Sequence, residues 1–510
     1  MQSRLSRPTL FHSLLLAIAA LVPIAPTGAQ KVYFNASLDG SQQNPPVTTS
    51  ATGWATIQFD TTTNRVEIVA HSTGVAGTAA HLHIAARGTN GPVIVPLAGG
   101  PTWTGGAVLS ATNAAALTSG GTYINIHSAA NPSGEIRGQV ELSRAARFVA
   151  ALDGLQEVPA NTSTATGSAE LVLYEPDNVL TYTVATSGLS NVTAAHIHTG
   201  NSGQNGPVLH PLTGTAGDYC GYTVLTSAQV TTLKAGGLYV NVHTSSFPAG
   251  EIRGQIGAFD GDFFARLEGA QQVPPVSTTA DGTACVRLNP DNTLTYITTT
   301  TGLTATAAHF HRAAKGTNGP VVIGFTGGPT TWSGTTRALT ATEIADLRAG
   351  LWYVNVHTAA NPGGEIRGQL GPAALPTVYG GGCPANGATA QITATGFACI
   401  GRSYSVEVRG ARPNSNCELI LGVDRGQFGP ATLPLNLTFL GMTNCFLLTD
   451  LQVRGLAALT DARGCAAVQL PLPFLPSLRG VEFFAQWLVL APGANPAGGV
   501  VSNGLQSIVH

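Results

Sequence analysis

Charge is scarce in this chain. Only 10 % of its 510 residues are Asp, Glu, Lys or Arg, against about a quarter in an average domain. Lysine occurs three times, at Lys31, Lys234 and Lys315. The 24 basic and 26 acidic residues leave a net charge of −2. No basic stripe exists to neutralise phosphates, which excludes nucleic-acid binding. Long apolar runs are missing too. The run Leu14–Val22 ends at Pro23, and a spanning helix needs about 20 apolar residues, so no membrane span is expected in the mature protein. No two cysteines form a C-x-x-C pair, which removes support for a thiolate zinc site or a thioredoxin-like motif. No Gly-x-Ser-x-Gly elbow is present, and the few carboxylates suggest no acid–base pair, so a hydrolase has little support.

Glycine and proline are plentiful, 62 and 31 residues, which favours turn-rich β structure. Hydrophobic residues reach 43 %, enough to build cores and to exclude global disorder. Arg4 and Arg7, the run Leu14–Val22 and the small residues Thr27–Ala29 predict a signal peptide over 1–29, cleaved before Gln30. The product is then secreted, or periplasmic and held at the cell envelope. That compartment permits disulfides. Of seven cysteines, Cys383, Cys399, Cys417, Cys445 and Cys465 lie near the C-terminus, while Cys220 and Cys285 stand apart. An odd count leaves at least one thiol unpaired or intermolecular.

A long internal repeat organises the rest. Three copies share His-x-His (His81/His83, His196/His198, His309/His311), then Asn-Gly-Pro-Val from Asn90, Asn205 and Asn318. Tyr-x-Asn-x-His follows, ending at His127, His243 and His357, and each copy closes on Gly-Glu-Ile-Arg-Gly-Gln around Arg137, Arg253 and Arg367. The arginines recur after 116 and then 114 residues, the size of a whole domain. The expected units are 30–142, 146–258 and 261–371, a linker over 372–378, and a final domain over 379–510. Segments such as 179–184 and 293–300 are β-branched and aromatic, with turn signals about every ten residues. They predict an all-β protein of tandem antiparallel Greek-key-like sandwich or barrel domains. The helices are expected to be short, as over 340–349, with Thr340 and Glu343 closing a capping box.

Side-chain alternation places the polar residues. Tyr123, Asn125 and His127 share a face, with Ile124 and Ile126 turned to the core. His81 and His83 share a face, as do Glu135, Arg137 and Gln139. These faces are expected to point outward, and a turn over 131–134 is expected to bring His127 opposite Arg137 and Gly138. Two histidines at i, i+2 on a strand lie about 6.6 Å apart, and a third from another strand would complete a three-imidazole site suited to copper or zinc. The alternative is a surface hydrogen-bond network. The arginine is either a structural partner of Glu135 or a fixed cation that attracts a small anion. His71 and His210 occur once each and read as incidental.

The repeat, over about 31–371, resembles the chordin-type CHRD domain, which implies a secreted protein. The order His-x-His, Val-x-His, Gly-x-x-Arg is also similar to the copper half of copper/zinc superoxide dismutase, a Greek-key sandwich. That likeness implies copper on His81, His83 and His127, on His196, His198 and His243, and on His309, His311 and His357. Arg137, Arg253 and Arg367 would then be catalytic guides for superoxide. The dismutase bridging histidine and zinc ligands have no counterparts here, so the likeness implies a copper-only site. Residues 379–510 resemble a C-terminal β-module of exported bacterial proteins, which implies a Cys383–Cys445 bridge. Cys285 replaces Thr56 and Glu170 on the polar face and is expected to be exposed. Two functions follow: a secreted copper protein with dismutase-like chemistry, or a non-catalytic extracellular adhesion or protein-interaction protein of the cell envelope or matrix, with repeats supplying avidity.

Overall fold

The computed structural model describes residues 31–215, 217–385 and 388–510; the expected signal peptide lies outside them. The first repeat contains eight principal strands: β1 (Lys31–Asp39), β2 (Thr52–Asp60), β3 (Arg65–Thr73), β4 (Gly77–Ile84), β5 (Val93–Gly99), β6 (Thr102–Val108), β7 (Thr122–Ser128) and β8 (Ile136–Gln139). All pairings are antiparallel, in the order β2-β3-β6-β5-β4-β7-β8-β1, and β1 pairs back on β2 to close a barrel. β4, β5 and β6 are consecutive, and β7 returns beside β4, which is a Greek key.

Alternating apolar residues drive this arrangement. Ile57, Ile68, Leu82, Ile124, Ile126 and Ile136 are fully buried in one core. The return from β6 to β7 runs through the helix Ala111–Thr118, whose Ser110 N-cap accepts from the Asn113 amide. The corresponding helix Ala341–Arg348 carries the expected capping box of Thr340 and Glu343.

The second and third repeats reproduce this strand order, and the hairpin that closes the ring recurs in them: Gly214 pairs with Tyr219 and Gly327 with Trp332, as Gly99 does with Trp103. Each repeat keeps its own core. The final domain is a sandwich. A five-stranded sheet carries Thr377–Tyr379 at one edge, and a three-stranded sheet is built on Ser403–Arg409; both pack around buried Trp487.

The C-terminal domain contacts all three repeats. Cys220–Cys465 bonds it to the second and Cys285–Cys399 to the third, while Cys383–Cys445 is internal. Cys417 is the free, buried thiol. Cys285 is therefore buried, not exposed as its strand face suggested. The polar face of that strand is covered by Phe397 and Cys399 of the last domain. The first repeat is held by Asn35 Nδ2 donating to Val378 O (2.7 Å) and by Trp54 and His71 against Phe446. Thus His71, though it occurs once, is an interface residue.

Candidate metal centre

β4 and β7 are neighbours, with His81 opposite Asn125 and His83 opposite Tyr123. That register brings His127 beside the His-x-His pair. In each repeat the three imidazoles offer one nitrogen apiece, all within 4.8 Å of one another: His81/His83/His127, His196/His198/His243 and His309/His311/His357. In each set the middle histidine is buried and the others are half-buried.

Backbone carbonyls set the ring orientations. His83 Nδ1 donates to Gly91 O (2.9 Å), and His127 Nδ1 donates to Pro132 O (2.9 Å). The same bonds run from His198 to Gly206 O (3.0 Å), His243 to Pro248 O (3.1 Å), His311 to Gly319 O (3.0 Å) and His357 to Pro362 O (2.9 Å). A ring that donates through Nδ1 keeps a lone pair on Nε2. Nε2 of His83, His198 and His311 is buried with no partner. His81 Nδ1 lies 3.1 Å from His127 Nε2, and His309 Nδ1 lies 3.2 Å from His357 Nε2. In the second repeat His196 Nδ1 and His243 Nε2 are both without partners. Desolvation is the largest cause that lowers the pKa of His81, His83, His196, His198, His243, His309 and His311. These rings are neutral bases at neutral pH. Buried lone pairs, neutral rings and second-nitrogen bonds to carbonyls are what a metal-ligating imidazole requires, so the residues present fit a copper or zinc ion.

The Asn-Gly-Pro loop makes this geometry possible. A Cβ on Gly91 would lie 1.9 Å from Ile84 O, and one on Gly319 would lie 1.9 Å from Arg312 O. Only glycine lets the loop press against the end of β4 and present its carbonyl to the histidine.

The arginines stand elsewhere than expected. Arg137 pairs with Asn125, not His127. The register of Asn125 with Arg137 and Ile126 with Ile136 centres the hairpin on Asn131, not between Pro132 and Ser133. Arg137, Arg253 and Arg367 are each only 1 % exposed, so that part of the face is covered, not outward. Each guanidinium lies over a tyrosine ring, at 3.5, 3.5 and 3.4 Å for Tyr123, Tyr239 and Tyr353. The same rings stack on His83, His198 and His311 at 4.8, 4.9 and 4.9 Å. Arginine and histidine therefore take opposite faces of one tyrosine. Asn90, Asn205 and Asn318 accept from the guanidinium, and no described residue forms an ion pair with it. Glu135 turns away to accept from Thr49 Oγ1 (2.9 Å).

The tyrosine, asparagine and glycine roles were not read from the sequence. Their signal was the recurrence of Asn-Gly-Pro-Val and Tyr-x-Asn beside the histidines. A further cluster, Cys220, Asp461 and Cys465, offers no thiolate, because its sulfurs are bonded to each other.

Comparison with known proteins matches the CHRD domain at residues 34–140, 148–256 and 263–370. Chordin of Xenopus laevis is 32 % identical over 235 residues, 40 % of this chain and 24 % of that protein. Chordin of Danio rerio is 31 % identical over 154 residues, 26 % of this chain and 16 % of that protein. The chain thus spans a quarter or less of the length of these relatives. A crystal structure of a tetra-tandem repeat in the extending region of a large adhesion protein is 13 % identical, covering 88 % of this chain and 96 % of that one, with a TM-score of 0.15.

Proposed function

Because the chain belongs to the CHRD-domain family through three of its domains, we propose that it is an extracellular repeat protein in which each repeat holds one copper ion on its histidine triad. The observation that carries this reading is the threefold convergence of ring nitrogens within 4.8 Å. Three disulfides support an oxidising compartment, and no helix among the described residues is long and apolar enough to cross a membrane. Imidazole donors bind copper more tightly than zinc.

Copper so held would supply one-electron chemistry, and superoxide is the small anion proposed for the position left free by three imidazoles, the only ligand groups gathered there among the described residues. The histidines bind. The carbonyls of Gly91, Gly206 and Gly319 orient one ring in each repeat. His81 and His309 must give up or relocate the Nδ1 proton to ligate through that nitrogen. The unpaired arginines act from behind the tyrosines, adding a positive field that favours anions at low salt.

Calorimetric titration of the mature protein is expected to give three copper equivalents, and a variant with all nine triad histidines changed to Ala none. Equal uptake by both overturns the reading. Superoxide decay on the copper-loaded protein is expected to slow with added salt, and to lose that dependence when the three arginines are Gln. Activity no greater than that of the nine-histidine variant rejects the dismutase chemistry alone.

One observation favours protein interaction as a second reading. Val93, Val208 and Val321 are 47, 52 and 53 % exposed at the same place beside each triad, a repeated apolar contact that suits a multivalent extracellular partner.

A further inference from the structure

The triads are built alike, yet one buried position beside them differs. Gln43, Glu157 and Gln272 are equivalent, each two residues before a proline, Pro45, Pro159 or Pro274. They are 7, 7 and 5 % exposed. In the first and third repeats this side chain is an amide donor: Gln43 Nε2 donates to Asn125 Oδ1 (2.6 Å) and Gln272 Nε2 to Asn355 Oδ1 (2.7 Å). Those asparagines in turn hold the hairpin, Asn125 Nδ2 donating to Ser133 O and Asn355 Nδ2 to Gly363 O, both at 3.1 Å.

The second repeat places a carboxyl where that donor stands. Glu157 Oε1 and Asn241 Oδ1 are both buried without a partner. A Cβ on Gly250 would lie 2.6 Å from the first and 2.5 Å from the second, so the two oxygens share one small space. Two acceptors cannot bond each other, whereas a protonated carboxyl is a donor. Burial raises the pKa of Glu157 from 4.5 to about 7, and the positive charge of Arg253 opposes that rise. The other carboxylates of this region are engaged. Glu251 accepts from Ser163 Oγ (2.7 Å) and Thr244 Oγ1 (2.6 Å). Asp153, paired with Arg253, accepts from the Gln156 amide (3.0 Å).

Asn241 connects this carboxyl to the triad. It is paired with His196 on one side and Arg253 on the other. Its Nδ2 donates to Ala249 O at 3.5 Å, longer than in the other repeats, and the adjacent Pro248 carbonyl is the one that holds His243. With Glu157 neutral, its hydroxyl donates to Asn241 Oδ1 as the glutamine amides do, and Nδ2 stays on the turn. When Glu157 loses that proton to water, Asn241 must swing Nδ2 toward the carboxylate and give up Ala249 O. We propose that Glu157 is a positioning residue of the second triad, whose proton fixes Asn241 and the turn that orients His243, so that the second of three otherwise similar metal sites alone changes geometry with pH. This inference rests on the copper reading of the triads.

Electron paramagnetic resonance of the mature full-length protein, loaded with three equivalents of copper(II) and followed from pH 6 to 8.5, tests it. One third of the copper signal is expected to shift with pH. Glu157→Gln is expected to abolish the shift. Gln43→Glu is expected to raise the moving share to two thirds, and it decides the matter if Glu157→Gln does not fold. No shift, a shift of all the copper, a shift that persists in Glu157→Gln, or an unchanged share in Gln43→Glu overturns the proposal while leaving the copper reading intact. Failure of the parent to take up copper overturns both. Melts of the copper-free protein check the proton itself. Ionising a buried Glu157 costs stability as pH rises, so the Tm gained by Glu157→Gln is expected to be larger at pH 8 than at pH 5. An equal gain at both contradicts the assignment.

Discussion

At the scale of single residues, the candidate site depends on a glycine as much as on its histidines. Gly91 presents the carbonyl that holds His83, and its amide donates to Tyr123 Oη (3.2 Å). Gly91→Ala must push the loop off Ile84 O, because the added methyl would sit 1.9 Å away. Partners that orient a metal ligand are typically worth about 10- to 100-fold in affinity. Gly91→Ala is therefore expected to weaken one copper equivalent of three by about that factor, as read by calorimetry. Gly257→Ala, where a methyl meets nothing within 4 Å, is expected to change nothing. The histidines were legible in the sequence because their spacing recurs on strands of alternating character. The arginines were legible in place but not in exposure. Alternation assigns a side chain to a face of a strand; it does not say what covers that face. Here the loop from Ala85 to Asn90 folds over Arg137, with Asn90 Oδ1 and Ala86 O accepting its protons.

At the scale of elements, the same limit explains Cys285 and His71. Cys285 was expected to be exposed and His71 to be incidental, and both are covered by the last domain. Strand content, hairpin order and capping-box chemistry are local and were readable. Docking of one sheet face on another domain is set by residues more than a hundred positions away and was not. His71 carries a consequence for pH. Burial lowers its pKa from 6.5 to about 4; Nδ1 faces Thr102 Oγ1 (3.1 Å), and Nε2 is buried without a partner. The unfolded chain takes up the proton first as pH falls. The stability this neutral ring contributes is complete above about pH 6.5 and is lost progressively down to about pH 4. That loss amounts to about 3 kcal/mol at most. Thermal melts of the mature protein between pH 7.5 and 4.5 are expected to fall more steeply than those of His71→Phe. Parallel pH profiles for the two proteins contradict the assignment.

At the scale of the whole molecule, three copies of one domain are fixed around a fourth. Equivalent strands meet the C-terminal domain: β2 through Trp54, Thr166–Glu175 through Tyr174, and Asp281–Leu288 through Cys285. Tyr174 Oη, for example, lies 2.8 Å from Thr393 Oγ1. Among the described residues, every side-chain hydrogen bond and ring contact of the nine triad histidines stays within its own repeat. The triads therefore remain available together, whatever orders the domains around them. The copper proposal requires each triad to gather one copper ion. Anomalous diffraction at the copper edge, from crystals of the copper-loaded mature protein, tests it most directly. Three peaks are expected, one within each triad: at His81, His83 and His127, at His196, His198 and His243, and at His309, His311 and His357. Copper found at His210, at His510 or at no ordered position, with the triads vacant, would contradict it.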